Sequence, residues 1–250
     1  MQESMQKSGC TVLGVRCFVG DLDGAAEEVI ERALSGRGGY ACLANTHVLV
    51  TARGDSRLRA ALNSAWAVFP DGAPVAWLQR RSRYQSSRVA GPDLMLKVLD
   101  RGREVGVRHF LFGSTTDVLT NLEANLTARF DGVRIAGQFA PPPADEASRD
   151  ALQAVRTSHP DIVWVALGAP KQELWAAQHA TALAPALIIG VGAAFDFHAG
   201  RVPRAPLWMQ RMGCEWLHRL VHEPRRLGWR YAWTNARLAL VVLRGNAVKP

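Results

Sequence analysis

The sequence predicts an α/β fold: a Rossmann-like, mostly parallel sheet covered by helices, with a C-terminal helical basic appendage. Short apolar or β-branched runs, each ended by Gly, Pro, Asp or Asn, alternate with helix-length segments from residue 11 to about 195. Alternation of this kind builds parallel sheets through βαβ crossovers. The pattern changes at Pro203 and Pro206, beyond which the chain reads as helix and carries the whole net positive charge.

In chain order, strands are expected over residues 12–18, 40–44, 67–69, 109–112, 133–138, 162–166 and 187–191. Helices are expected between them. Residues 25–34 follow Asp23, a suitable N-cap, and residues 56–64 form a second helix. Residues 91–103 open with Pro92-Asp93, where Pro suits the first turn and Asp the positive end of the helix dipole. Residues 115–129 follow Ser114 as cap, and 144–157 and 171–182 complete the set. In the last fifth, Trp208, Met212, Trp216 and Leu220 recur every four residues as one stripe of a helix. Glu223-Pro224 interrupts it, and a final helix covers about residues 226–243. The expected division is an α/β domain over 1–200 and an appendage over 201–250.

Composition narrows the possibilities. The chain has 250 residues, 48% hydrophobic and 21% charged, enough for one large globular domain with a tail. Its four cysteines form no CxxC pair, so a reducing compartment is the simpler reading. The first ten residues, MQESMQKSGC, lack the apolar core of a signal peptide, and no apolar run reaches the roughly 18 residues of a spanning helix. The expectation is a protein that is soluble or bound to a membrane surface. Residues 1–200 hold 20 Lys+Arg against 20 Asp+Glu, whereas residues 201–250 hold 10 against 2, together with Trp208, Trp216, Trp229 and Trp233. Such a tail suits an anionic partner: a membrane, a nucleic acid or a phosphate-bearing substrate.

Parallel sheets bind ligands beyond the carboxyl ends of their strands. The loops there are Ala44-Asn45-Thr46-His47, Phe69-Pro70-Asp71-Gly72, the segment from Leu167 to Glu173, and the glycine-rich segment from Val191 to Gly200. A fifth segment, from Arg88 to Asp93, precedes a helix. Taken singly, Asp71-Gly72 reads as a turn or cap, Gly168 and Pro170 as strand and helix ends, and Asp196 as a loop cap. Together they indicate one site. Backbone N–H groups from Gly168 to Lys171 could meet a phosphate. There is no GxGxxG after the first strand and no GxxxxGK[ST]. Asp21-Leu22-Asp23 has the DxD spacing of metal-held nucleotide sugars, but helix capping is the better reading. His198 beside Asp196 reads better as a structural group than as a metal ligand.

These stretches resemble the WecG/TagA/CpsF family of bacterial glycosyltransferases, also called glycosyltransferase family 26. The likeness rests on LANTHVLVTAR, FPDGAPVAW, RVAGPDL, FLFGST, VALGAPKQE, IGVGAAFDFHAG and RVPRAPLWMQRMGCEWLHRLVHEPRRLGWRY, in that order and spacing, over nearly the whole chain. The resemblance implies an inverting transferase that moves a sugar of N-acetylmannosamine or glucose type from a UDP-sugar donor to a polyprenyl-diphosphate-linked acceptor. It implies no required metal or other cofactor. Asp71 matches the proposed catalytic base, and Asn45 a donor-site residue. Arg88, Gln172 and Asp196 match positions near the nucleotide sugar, with Thr46, Gly72, Gly113, Gly168, Pro170, Lys171 and Gly192 in the same motifs. Arg211, Arg219, Arg225, Arg226 and Arg230 match a basic appendage that helps bind the membrane and complete the site, where they would meet the acceptor diphosphate or the membrane. The family often carries Thr two residues before the Asn, where this chain has Leu43, so one donor contact differs.

The expected chemistry is direct displacement, with a carboxylate taking the acceptor hydroxyl's proton. Cationic or N–H groups would meet the charge that develops on departing UDP. The expected location is cytoplasmic, peripheral on the inner face of the plasma membrane. The main rival is a nucleic-acid-binding module built on the basic tail, but no RRM, KH or zinc-finger signature supports it and no nucleic-acid partner is expected. A Rossmann oxidoreductase lacks the glycine fingerprint. An inactive scaffold would have no use for Asp71, Arg88 and Gln172 in otherwise apolar surroundings.

Overall fold

The computed structural model describes residues 9–142, 145, 149–222, 224–243 and 247–249, and omits the side chains of residues 219, 222, 225–227, 230, 231 and 249. Six strands form one parallel sheet: β3 (Gly39–Ala44), β4 (Ala67–Pro70), β5 (Arg108–Gly113), β6 (Arg134–Phe139), β7 (Ile162–Ala166) and β8 (Leu187–Gly190). Their spatial order is β4-β3-β8-β7-β5-β6, so β7 and β8 fill the gap between an outward-running β3–β4 pair and an outward-running β5–β6 pair. This is the Rossmann-like α/β architecture that the alternation predicts.

The two-residue period of the strands divides the interior into two cores. Cys42, Ala44, Phe110, Phe112, Val163, Val165 and Ile188 point to one face. Leu43, Phe69, Leu111, Ile162, Trp164, Leu187 and Ile189 point to the other. On the first face lie α2 (Thr46–Gly54), α3 (Ser56–Ser64), α4 (Ala73–Arg81), α7 (Arg149–Ser158) and α8 (Lys171–His179). On the second lie α1 (Leu22–Leu34), α5 (Gly91–Glu104), α6 (Thr116–Arg129) and the short α9 (Ala194–His198). With helices on both faces, the strands need no polar alternation, which is why they read as continuous apolar runs.

Several local expectations change. Residues 12–18 are not one strand. Leu13 and Gly14 both take positive φ, closing an antiparallel hairpin of β1 (Gly9–Val12) and β2 (Val15–Phe18) outside the main sheet. A Leu-Gly turn carries none of the Asn-Gly signal that marks such hairpins. Gln79, fully buried on α4, ties the hairpin down: its Nε2 donates to the Phe18 carbonyl, and its Oε1 accepts from Ser86. Asp21, not Asp23, caps α1 by accepting from the Gly24 N–H, and Thr115, not Ser114, caps α6. Helices α2, α4 and α9 were not expected, because 46–54 is rich in β-branched residues and the other two begin beside strand-end loops. Helix α8 stops at His179, short of residue 182. Residue 144, the expected start of α7, lies outside the described residues.

The C-terminal region differs most. The four-residue stripe is split between α10 (Leu207–Arg211) and α11 (Glu215–His222). Gly213, at φ 74°, ends α10 in a Schellman turn, with Cys214 N–H donating to the Met209 carbonyl and Gly213 N–H to that of Gln210. The last helix, α12 (Pro224–Leu243), lays Trp233, Leu238, Val241 and Val242 against the core on the α2 side. Strand β9 (Val248–Lys249) then pairs with β1, and Leu13 N–H donates to the Ala247 carbonyl. The two ends of the chain thus share a small three-stranded sheet.

Gly113 shows how tightly the strand ends meet. Its φ is +107°, and a Cβ there would lie 2.7 Å from the Ala166 carbonyl oxygen at the end of β7. Gly113→Ala is expected to lower stability by about 2–4 kcal/mol, through backbone strain and overpacking together. Urea denaturation checks this, and an unchanged midpoint refutes it.

Candidate active site

A cleft of about 690 Å³ opens at the carboxyl ends of β3, β4, β5, β7 and β8. That is within the usual range for small-molecule sites. Among the residues singled out above, Asn45, Thr46, Asp71, Gly72, Arg88, Gly168, Gln172, Gly192 and Asp196 line it. Gly113, Pro170 and Lys171 do not: Gly113 serves the β5–β7 approach, Pro170 stands at the α8 N-cap position, and Lys171 is exposed on the first turn. Arg211 is exposed outside the cleft, and the side chains of Arg219, Arg225, Arg226 and Arg230 lie outside the described residues.

The local causes can be followed residue by residue. Asp71 N–H donates to the Ala44 carbonyl at 3.1 Å, continuing the β3–β4 ladder one step past the strand and setting Asp71 beside Asn45. Helix α4 begins with Gly72 in the cap position at φ +108°, a conformation that favours glycine, and no side chain caps it. Asn45 caps α2, its Oδ1 accepting from Val48 N–H at 3.2 Å, which leaves the Nδ2 hydrogens for ligand or solvent. Val89 N–H donates to the Pro70 carbonyl at 2.9 Å and so holds Arg88 at the same strand end.

Arg88 does not face the cleft alone. Its Nη2 donates to Glu215 Oε2 at 2.6 Å. Arg204 donates from Nε to Glu215 Oε1 at 3.2 Å, and through both Nη atoms to Asp93 at 2.5 and 2.8 Å. The chain Asp93–Arg204–Glu215–Arg88 fastens the start of α11 to the rim of the cleft. Burial pushes the Glu215 carboxyl up, but Arg88 and Arg204 outweigh it and hold it below the ordinary carboxylate range. Arg88 Nε is buried with no hydrogen bond among the described residues. Gly213, Trp216, Thr234 and Asn235 join Glu215 in the cleft wall, and Thr234 Oγ1 lies 3.3 Å from His47 Nδ1. Sequence reasoning missed these wall residues. The one available signal for Glu215 is that it is one of only two acidic residues in a basic tail.

Gln172, which lines the cleft, and its neighbour Glu173, which does not, occupy the first turn of α8, 4% and 1% exposed. Gln172 Nε2 donates to Glu173 Oε1 at 3.0 Å. Burial raises the Glu173 carboxyl to about 7, despite the bonds from Gln172 and the backbone that act the other way. Asp196 also lines the cleft, 3.6 Å from Arg201.

Among the described residues, no group of three His, Cys, Asp or Glu side chains is placed to hold a metal ion. His198 is held by the Pro92 carbonyl at 3.0 Å. Asp23 pairs with Lys97 and Arg101, so the Asp21-Leu22-Asp23 segment serves α1. A second cavity of about 650 Å³ lies at the amino ends of β3 and β4, where Arg16, Glu28, Arg32 and Trp66 line it. None of the residues singled out from the sequence faces it.

The chain matches the glycosyl transferase WecG/TagA/CpsF family over residues 10–249. It is 31% identical over 209 residues to the N-acetylglucosaminyldiphosphoundecaprenol N-acetyl-β-D-mannosaminyltransferase of Bacillus spizizenii strain W23, covering 83% of this chain and 80% of that one. It is 33% identical over 184 residues to the protein of the same description in Bacillus subtilis strain 168, covering 73% and 70%.

Removing the shared carboxylate of the rim network tests its weight. Glu215→Ala leaves two guanidinium groups without their buried partner and is expected to cost about 3 kcal/mol at neutral pH. Because the folded-state pKa of Glu215 is depressed, its contribution is present above the ordinary value of 4.5 and is lost as pH falls through the lower folded value. Urea titrations of wild type and variant should therefore converge in acid, and parallel curves across that range would contradict the assignment.

Proposed function

We propose that this chain, which belongs to the WecG/TagA/CpsF family of glycosyl transferases, moves a sugar from a UDP-sugar to a saccharide carried on undecaprenyl diphosphate, with inversion at the anomeric carbon. It is a hexosyltransferase of cell-surface polysaccharide synthesis, and its donor is of N-acetylmannosamine or glucose type. The observation that supports this best is the meeting of Asp71, Arg88, Gln172 and Asp196 in one cleft at the strand ends, within a chain similar to two enzymes named for that transfer.

Asp71 is the general base. The acceptor hydroxyl oxygen attacks the anomeric carbon as its proton passes to the Asp71 carboxylate. The bond from that carbon to the diphosphate oxygen breaks, and UDP leaves with the electron pair. A carboxylate at a half-buried strand end needs only to lie within hydrogen-bond reach of the hydroxyl to take its proton. The departing charge needs fixed positive groups. Arg88 lines the cleft, and Glu215 holds its guanidinium in place at the rim. Asn45 Nδ2 and the glycine-lined loops at Gly72, Gly168 and Gly192 supply further polar contacts to the donor.

The C-terminal helices place this cleft at an inner-leaflet membrane surface. Trp208, Met212, Val221 and Trp229 are 61, 68, 71 and 80% exposed, in a region rich in arginine. Exposed apolar and indole side chains next to cations suit an anionic headgroup layer. No helix among the described residues is long and apolar enough to cross a membrane, so attachment is peripheral.

Asp71→Asn is expected to lower turnover by roughly 10²–10⁴-fold while leaving UDP affinity largely unchanged. UDP release from a panel of UDP-sugars, with a lipid-diphosphate saccharide as acceptor, measures this and identifies the donor. Near-normal turnover would remove Asp71 from the role. Replacing Trp208, Met212 and Trp229 together by Ser is expected to reduce flotation with anionic liposomes roughly tenfold, about 1.4 kcal/mol of binding. Unchanged flotation would remove the tail from membrane attachment.

A further inference from the structure

Next to Gln172, which lines the cleft, α8 carries a buried carboxylate that the transfer chemistry does not use. Glu173 is 1% exposed, and no cation pairs with it among the described residues. Its Oε1 accepts from Gln172 Nε2 at 3.0 Å, while its Oε2 is buried without a hydrogen-bond partner. Gln172 in turn leaves its own Oε1 buried and unbonded. The side chain of Gln172 lies flat against Gly190: a Cβ at that glycine would come within 3.0 Å of its Cγ, Cδ and Nε2. A Cβ at Gly192 would lie 3.6 Å from Oε1 and 3.9 Å from Nε2, so the oxygen is the end of the amide nearer Gly192. Gln172, Gly190 and Gly192 all line the cleft.

An ionised carboxylate can only accept hydrogen bonds. It therefore binds the NH₂ end of the neighbouring amide and forces the carbonyl end the other way. A neutral carboxyl or an amide at the same place both donates and accepts, so it permits either orientation. We infer that Glu173 is a positioning residue, which as a carboxylate fixes the Gln172 amide so that Oε1 accepts an N–H or O–H of the nucleotide sugar. This rests on the reading of the cleft as a UDP-sugar site. It also explains the toleration of a costly buried charge: an unpaired carboxylate supplies an orientation that an isosteric amide cannot.

Glu173→Gln separates this role from packing, because it keeps volume and shape and removes the buried charge. The raised carboxyl, at about 7, stabilises the fold fully below its ordinary value of 4.5, and that stabilisation is lost as pH rises through the folded value. The variant should therefore melt at the same temperature as wild type or higher above pH 7. Its affinity for UDP-N-acetylmannosamine should nevertheless fall about threefold to tenfold, the worth of one hydrogen bond. Calorimetric titration of both proteins with UDP and with this UDP-sugar is the test. An equal loss for both ligands places the contact on the nucleotide, and a loss for the UDP-sugar alone places it on the sugar. Equal affinities of wild type and variant for both ligands overturn the inference.

Failure of wild type to bind either ligand would overturn the reading of the cleft and the ligand half of the inference. The pairing of the two side chains is decided separately in the free protein. The Gln172 side-chain amide resonances, followed by NMR, should shift with a midpoint near 7 in wild type and stay constant in the variant. Resonances that ignore pH in wild type would overturn the pairing, even if the variant did not fold.

Discussion

A parallel sheet covered by helices on both faces has only its strand ends left for polar chemistry, and the rest of this molecule follows from that restriction. Every side chain on the faces of β3, β7 and β8 enters one of two apolar cores, so a carboxylate or guanidinium placed there would be stranded without water. The chain reverses direction through the sheet when β7 and β8 enter between β3 and β5. The loops at their carboxyl ends separate there and leave a cleft. The residues with chemical potential, Asp71, Arg88, Gln172 and Asp196, come from three stretches that follow β4, β7 and β8, and the sheet brings those stretches together.

Two buried glutamates, Glu215 in the cleft wall and Glu173 beside the cleft residue Gln172, are handled in opposite ways. Glu215 is bracketed by Arg88 and Arg204, with Arg204 further anchored by Asp93, so its charge is compensated and its carboxyl held low. Glu173 has one amide for company, and burial holds its carboxyl high. The first arrangement is mechanical: it fastens α11 to the rim and keeps a guanidinium over the cleft. The second is directional, since a carboxylate that can only accept dictates which end of Gln172 faces the ligand. Their different electrostatic costs match these different tasks, because a clamp needs paired charges whereas an orienting group needs an unpaired one.

Some of the molecule is visible in short stretches of sequence. The strands of the main sheet are read correctly because a short apolar or β-branched run and a terminal Gly, Pro, Asp or Asn are local signals. The hairpin at Leu13-Gly14 is missed because positive φ at a leucine has no sequence signature. Helix α2 is missed because Thr46, Val48, Val50 and Thr51 favour a strand, and burial of Val48, Leu49 and Val50 against the core overrides that preference. The stripe from Trp208 to Leu220 has a helical period, yet a single left-handed glycine divides it.

By itself, then, the sequence determined the α/β class, the strand ends and the family, since each rests on neighbours in the chain or on the order of motifs. Tertiary structure decided what those residues face. Arg88 meets Glu215 across 127 positions, Arg204 meets Asp93 across 111, and the last strand returns to the first. Gln172 and Glu173 are adjacent in sequence, but their orphaned oxygens appear only in the packed fold, where Gly190 and Gly192 lie against Gln172. Local propensity acts over a few residues, whereas pairing, burial and the ionisation that follows from them depend on packing between segments far apart in the chain.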